Sequence, residues 1–123
     1  LQRQVEAGAS ALQLFDSWVG ELSRADYRDF VQPHMQRLVE GLPGGVPVIL
    51  FGTRTTHLLD LQAATGADVI GLDHGVDLAE GWRRCGGPAQ VAVQGNLDPA
   101  LLLSDQLRGT GVVPRLASSV IER

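Results

Sequence analysis

The chain has 123 residues, 44% of them hydrophobic and 20% charged, which is the size and composition of one ordinary globular domain. Its net charge is −4 and all ten basic residues are arginines, in no cluster larger than a pair, which excludes a basic surface for nucleic acid. No apolar run approaches the ~20 residues that a membrane span requires. A single cysteine, Cys85, excludes an internal disulfide and favours a reducing, cytoplasmic compartment.

Four short apolar runs, each ending on polar residues, predict four buried strands at 12–15, 46–51, 67–72 and 91–93. A helical pattern follows each run, and the spacing between runs suits parallel strands joined by helical crossovers. The predicted fold is therefore α/β, with four consecutive parallel β-α units. A closed (β/α)8 barrel needs roughly 200 residues or more, so residues 1–123 are expected to form about half of one, as a partial domain of a longer protein.

The helices are predicted from caps and from apolar spacing. A first short helix is expected at 2–7, and Ser23 with Asp26 resembles a capping box that starts the second. Apolar residues then recur at three- and four-residue steps and predict one stripe that covers the sheet: Tyr27, Phe30, Val31, Met35, Leu38, Val39 and Leu42. Pro33 inside this pattern predicts a kink or a break. Later helices are expected at 55–65, 76–85, 101–107 and 114–123.

Polar side chains at the carboxyl ends of the predicted strands are the candidate ligand-binding groups, because parallel strands of this kind bind ligands at that face. Asp16 and Ser17 end the first strand, where Phe15 could form a wall for a flat ligand. Arg54 could bind a carboxylate, and Asn96 would face the same opening. A structural role remains open for each: Asp16 and Ser17 could cap backbone donors, and Arg54 could be solvated.

Other patterns give little support for a metal or a nucleotide. His34, His57 and Cys85 lie on three different elements without the close spacing of zinc ligands. Asp73 and His74 are adjacent at a strand end and should point to opposite faces. The glycines form neither a GxGxxG nor a GxxxxGK loop, so nucleotide binding is not predicted.

Five stretches of the chain resemble the uroporphyrinogen decarboxylase family and follow one another in the family's order: ASALQLFDSW at 9–18, ADYRDFV at 25–31, TGADVIGLD at 65–73, VDLAE at 76–80 and QGNLDP at 94–99. The resemblance implies a (β/α)8 barrel that works as a homodimer without a metal or organic cofactor. It also implies a carboxy-lyase of haem and porphyrin biosynthesis, which converts uroporphyrinogen III to coproporphyrinogen III by removing the carboxyl groups of four acetate side chains. By the same resemblance, the hydroxyl of Ser17 contacts a substrate carboxylate and Phe15 lies in the cleft wall.

The resemblance also has gaps. The segments that carry the family's main acid, arginines, tyrosine and histidine are not in this chain, so the piece alone is expected to be inactive. Asp73-His74-Gly75 stands where the family usually has Asp-Trp-Thr, and Arg54 stands where a small residue is common. Two alternatives stay open. One is a cobalamin-dependent zinc methyltransferase of the same superfamily, which would need a His-Cys-type site at the barrel mouth, whereas Cys85 is expected on a helix away from any strand end. The other is a non-catalytic scaffold relative.

Overall fold

A computed structural model describes residues 1–103, in which four strands form one sheet. The strands are β1 (Leu12–Asp16), β2 (Val48–Gly52), β3 (Val69–Gly71) and β4 (Ala92–Gln94). Their order in the sheet is the order in the chain, and every neighbouring pair is parallel. The predicted α/β fold of successive parallel units is therefore confirmed. Each strand is a short apolar run bounded by glycine, proline or polar residues.

Five α-helices lie between the strands or before them. They are α1 (Gln2–Glu6), α2 (Arg24–Asp26), α3 (Gln32–Glu40), α4 (Leu59–Ala63) and α5 (Leu78–Arg84), with 3₁₀ turns at Val19–Glu21 and Pro99–Leu103. Ser23 caps α2 as predicted, because its hydroxyl oxygen accepts from the backbone N–H of Asp26 at 3.1 Å. The predicted helix at 101–107 is described only as far as the 3₁₀ turn, and the one at 114–123 lies outside the described residues.

A π-helical turn, Tyr27–Val31, joins α2 to α3 and explains how the chain accommodates Pro33. The interruption that Pro33 predicts is present as this wide turn, which places the proline in the first turn of α3, where no N–H is needed. The extra residue also shifts the phase of the apolar stripe. Phe30, predicted on the covered face, is 71% exposed, and Leu38 is also exposed. That part of the prediction was wrong.

The hydrophobic core lies between the helices and one face of the sheet. Leu50 and Ile70 are fully buried on that face, and they pack with residues of α4 and of the segments between the elements, namely Leu59, Ala63, Ala67, Leu72, Cys85 and Val91. A second cluster, of Val19, Tyr27 and Leu58, lies beneath the segment that follows β1. These two clusters fix the helices on one side of the sheet.

The opposite face of the sheet carries two rows of side chains in register. The lower row is Gln13, Ile49, Val69 and Ala92, and the upper row, nearer the carboxyl ends of the strands, is Phe15, Phe51, Gly71 and Gln94. In a closed β/α barrel this face points inward, and the upper row borders the ligand site.

Within the described part of the chain, no helix has both the length and the apolar character that crossing a membrane requires.

Candidate functional site

Hydrogen bonds tie the segments after the four strands into one continuous edge, here called the carboxyl rim (residues 16–18, 52–54, 72–75 and 94–96). The hydroxyl of Thr53 donates to the carbonyl of Ser17, and the backbone N–H of Arg54 donates to a carboxylate oxygen of Asp73. The side-chain amide of Asn96 donates to the carbonyl of Asp73 at 2.9 Å and to that of Val76. The strand ends therefore converge on one rim, as the sequence predicts.

Ser17 is exposed on this rim, directly after β1. Its backbone position is fixed by the Thr53 hydroxyl, while the side chain lies on an accessible part of the surface. Trp18 follows it and is 82% exposed. An exposed hydroxyl beside an exposed indole is a polar and aromatic combination that suits binding of a ligand with both anionic and flat parts.

Phe15 lies on the sheet face that the helices do not cover, and it is 70% exposed. Its ring meets the half-buried ring of Phe51 edge to face, with the centroids 6.1 Å apart and an angle of 71° between the planes. Next to this pair is a cavity of about 190 Å³ lined by Gln13, Phe15, Phe51, Gly71, Leu72, Gln94 and Gly95. The aromatic wall that the sequence predicts at Phe15 thus has a second member, Phe51.

Asp16 lies on the other face of β1 from Phe15, because successive side chains of a strand alternate. Burial raises the pKa of its carboxyl above the ordinary value. Nearby, burial and then the charge of Asp16 raise the pKa of Tyr27 to about 12. The structure therefore places Asp16 on the helix side, apart from the aromatic wall.

Arg54 has a left-handed backbone, with φ at 57°, which turns the chain sharply after β2. Its guanidinium pairs with the carboxylate of Glu21, with 2.7 Å between the nitrogen and the oxygen, and both side chains are mostly exposed. An exposed pair of this kind is weak, so another carboxylate could displace Glu21. Sequence reasoning singled out Arg54 but missed its partner.

Sequence reasoning missed Phe51, and it did not predict the bonds of Thr53 and Asp73, which it placed only among the polar ends of the strands. Thr53 and Asp73 hold the rim through the bonds described above, and Phe51 forms half of the aromatic wall. A signal for Phe51 was present, since it ends an apolar run in the way that Phe15 does. The bonding roles of Thr53 and Asp73 depend on loop conformations that have no comparable local pattern.

A larger cavity, of about 620 Å³, lies at the opposite edge of the sheet. It is bordered by the last turn of α3 and by the segments before β2 and β3. Ligands of parallel α/β sheets bind at the carboxyl ends of the strands, and this cavity lies at the amino ends. The smaller cavity beside Phe51 is therefore the better candidate for a ligand site.

Cys85 lies in the hydrophobic core, away from the rim, and is completely buried. Burial, and to a smaller extent the charge of Asp60, raises the pKa of its thiol to about 11. Among residues 1–103, no group of three or more His, Cys, Asp or Glu side chains is arranged to hold a metal ion. Cys85 is thus not placed where the methyltransferase hypothesis requires a zinc ligand.

The raised pKa of Cys85 predicts a loss of stability in alkali. Above pH 9 the unfolded chain releases the thiol proton, whereas the folded protein keeps it until about pH 11. The free energy of unfolding is therefore unaffected by this thiol below about pH 9 and decreases as the pH rises from 9 to about 11. The loss amounts to roughly 2–3 kcal/mol for a shift of this size. Denaturant titrations at pH 8 and pH 11 check it, with the variant Cys85→Val as control. An equally large alkaline loss in that variant would contradict the assignment to Cys85.

The four parallel β-α units and their shared rim are those of part of a β/α-barrel protein, a class in which ligands bind at the carboxyl ends of the strands. Residues 1–110 match the family model described as uroporphyrinogen decarboxylase (URO-D), and the chain belongs to that family. The family fold is a barrel of this kind, of which the described residues form a part.

Curated relatives named uroporphyrinogen decarboxylase match most of the chain. The protein of Thermus thermophilus is 50% identical over 123 residues, which are 99% of this chain and 34% of the relative. That of Sorangium cellulosum is 50% identical with the same coverage. That of Streptomyces coelicolor is 55% identical over 105 residues, 85% of this chain and 29% of the relative. The chain therefore spans about a third of the length of these relatives.

Proposed function

We propose that this chain is part of a decarboxylase that converts uroporphyrinogen III to coproporphyrinogen III in haem and porphyrin biosynthesis. Membership of the uroporphyrinogen decarboxylase family supports the proposal. The structural observation that carries it is that two residues at the end of β1, Phe15 and Ser17, are both exposed near the same rim. A substrate with anionic carboxylates on flat pyrrole rings needs both kinds of contact.

The reaction determines what the site has to do. Protonation of a pyrrole carbon makes the ring an electron sink. The bond from the acetate methylene to its carboxyl group then breaks, the electron pair enters the ring and CO2 leaves. A proton added to the methylene carbon completes a methyl group, and release of the proton first added to the ring carbon restores the neutral pyrrole. Groups that stabilise the cationic ring more than the neutral substrate accelerate this step. The acid and most of the arginines come from parts of the enzyme outside this chain, and the residues described here bind and orient the substrate.

Each candidate residue has a proposed role that its contacts support. Ser17 donates a hydrogen bond to a substrate carboxylate, and Phe15 packs against a pyrrole ring. Arg54 exchanges Glu21 for a second carboxylate, which its exposure and its weak existing pair allow. Asp16 and Asn96 remain the weaker predicted ligand contacts: Asp16 lies on the helix side of the sheet, and the side-chain N–H groups of Asn96 already donate to two backbone carbonyls of the rim.

The wider properties of the enzyme are proposed from the family resemblance. The full-length protein works in the cytoplasm as a homodimer on a porphyrinogen substrate, without a metal or organic cofactor and without nucleic acid or membrane partners. Residues 1–123 are inactive alone, because the principal acid and most of the substrate-binding arginines come from other parts of the enzyme.

The test is CO2 release from uroporphyrinogen III by the full-length protein and by its Ser17→Ala variant. A hydrogen bond to a charged group contributes about 1.5–3 kcal/mol, so the substitution is expected to raise KM or lower kcat/KM by at least about ten-fold. Ser10→Ala is the matched control, because Ser10 is also exposed but precedes β1 at the other edge of the sheet.

Two outcomes would count against the proposal. Unchanged kcat and KM in the Ser17→Ala variant would remove the role of that hydroxyl. Absence of CO2 release by the unmodified full-length protein would remove the decarboxylase function itself and would leave the scaffold alternative.

A further inference from the structure

The upper row of side chains on the open face of the sheet contains a gap. Phe15, Phe51, Gly71 and Gln94 are neighbours in register across the four strands. The rings of Phe15 and Phe51 lie over β1 and β2, and the side chain of Gln94 belongs to β4. Gly71 has no side chain, and the 190 Å³ cavity is found at this position in the row. The cavity therefore lies at the one position of this row that has no side chain.

The ring of Phe51 occupies part of the space that a side chain at position 71 would need. A Cβ atom on Gly71 would lie 2.8 Å from Cδ2 of Phe51 and 3.0 Å from its Cβ. Those distances are shorter than van der Waals contact, so any other residue at 71 would push the ring away. Gly71 therefore allows Phe51 to stand beside Phe15 and leaves the space next to it open. This space between Phe51, Gly71 and Gln94 is here called the notch.

The residues around the notch carry no formal charge. Its walls are the Phe51 ring, apolar Leu72 and glycine backbone, and the polar groups are the amides of Gln13 and Gln94. A carboxylate placed here would lose its water without gaining a cation, which is costly. The notch is also smaller than the roughly 300–1,000 Å³ pockets that enclose drug-sized ligands, so it suits one portion of a larger molecule.

We propose that the notch binds the methyl-bearing edge of a pyrrole ring that has already lost an acetate carboxyl group, and that Phe51 positions this ring. The inference rests on the proposed decarboxylase function and adds to it a preference among successive substrates. Each decarboxylation replaces an anionic acetate by a methyl group, which is compatible with an uncharged aromatic surface. The notch then favours partly decarboxylated intermediates over uroporphyrinogen, while the rim binds the remaining carboxylates.

The experiment compares two substrates of the full-length enzyme. Uroporphyrinogen III retains all four acetates, whereas a pentacarboxylate porphyrinogen has one acetate and three methyl groups. Phe51→Leu is expected to lower kcat/KM for the pentacarboxylate about ten-fold, through loss of the aromatic contact, and for uroporphyrinogen only about three-fold. Phe30→Leu is the matched control, because Phe30 lies on the helix side of the sheet and is not part of the site.

A second variant tests the charge preference and keeps the proposal falsifiable if Phe51→Leu does not fold. Gln94→Lys places a cation in the notch, which is expected to lower kcat/KM for the pentacarboxylate several-fold and to shift the preference towards uroporphyrinogen. A rise in kcat/KM for both substrates would show that the notch takes a carboxylate, which contradicts the inference.

The remaining outcomes separate the two proposals. Equal losses of kcat/KM on both substrates in Phe51→Leu, with an unchanged melting temperature, would overturn the role of the notch and leave the decarboxylase function standing. An unmodified enzyme that turns over neither substrate would overturn both.

Discussion

Replacing Gly20 by alanine is expected to lower the free energy of unfolding of the full-length protein by about 3 kcal/mol or more. A Cβ atom at this position would lie 2.2 Å from the carbonyl oxygen of Thr53 and 2.7 Å from the carbonyl carbon of Arg54. Both atoms belong to the backbone, so no side-chain rotation can relieve the clash. The Thr53 hydroxyl is bonded to Ser17, which ties the two segments further together. The measurement is the midpoint of denaturant unfolding.

Gly44→Ala is the matched control for this prediction. A Cβ atom on Gly44 would meet nothing within 4 Å, and its backbone is not left-handed, so the free energy of unfolding should change by no more than a few tenths of a kcal/mol. Because Gly20 packs on the segment that carries Arg54, the Gly20 variant should also lose activity in its surviving folded fraction. Equal midpoints for the two alanine variants would refute the close approach at Gly20.

Truncation of Ile70 to alanine is expected to lower the free energy of unfolding by about 2–5 kcal/mol. Ile70 has no exposed surface and lies on β3, between Leu50 of β2 and Val93 of β4 in register. Removal of its side chain leaves a cavity at the centre of the core, where strands on both sides limit collapse. Thermal and denaturant unfolding of the full-length protein measure the loss.

Ile70→Val provides a graded comparison, since it removes one methylene group and should cost about 0.5–1.5 kcal/mol. A difference of this order between the two variants would show that the loss scales with the volume removed. If Ile70→Ala unfolds at the same denaturant concentration as the unmodified protein, Ile70 is not in a close-packed core.

The sheet could be predicted because its signals are local. Each strand lies in a short, mainly apolar run of three to five residues with glycine, proline or polar residues near its ends, and β2 (Val48–Gly52) shows this pattern clearly. The start of α2 at Ser23 was likewise predictable, since a capping box is a contact between residues three apart. The parallel order then followed from the length of the connections.

The stripe on the helix that follows Ser23 could not be predicted as accurately. Helical spacing assumes 3.6 residues per turn, whereas the turn Tyr27–Val31 is wider, so Phe30 is rotated to the surface. The number of residues in that turn depends on how Pro33 is accommodated against the sheet. A pattern of apolar residues does not contain this information.

The sequence by itself therefore determined the order of strands, the edge of the sheet where polar groups collect, and the resemblance carried by the residues around Ser17. Only the tertiary structure decided that Asp16 faces the helices, that Arg54 pairs with Glu21, and that Gly71 opens a space beside Phe51. The physical reason is the range of the interactions. Strand formation and helix capping act between residues close in the chain, whereas each of these contacts joins segments that only the packing of the sheet brings together.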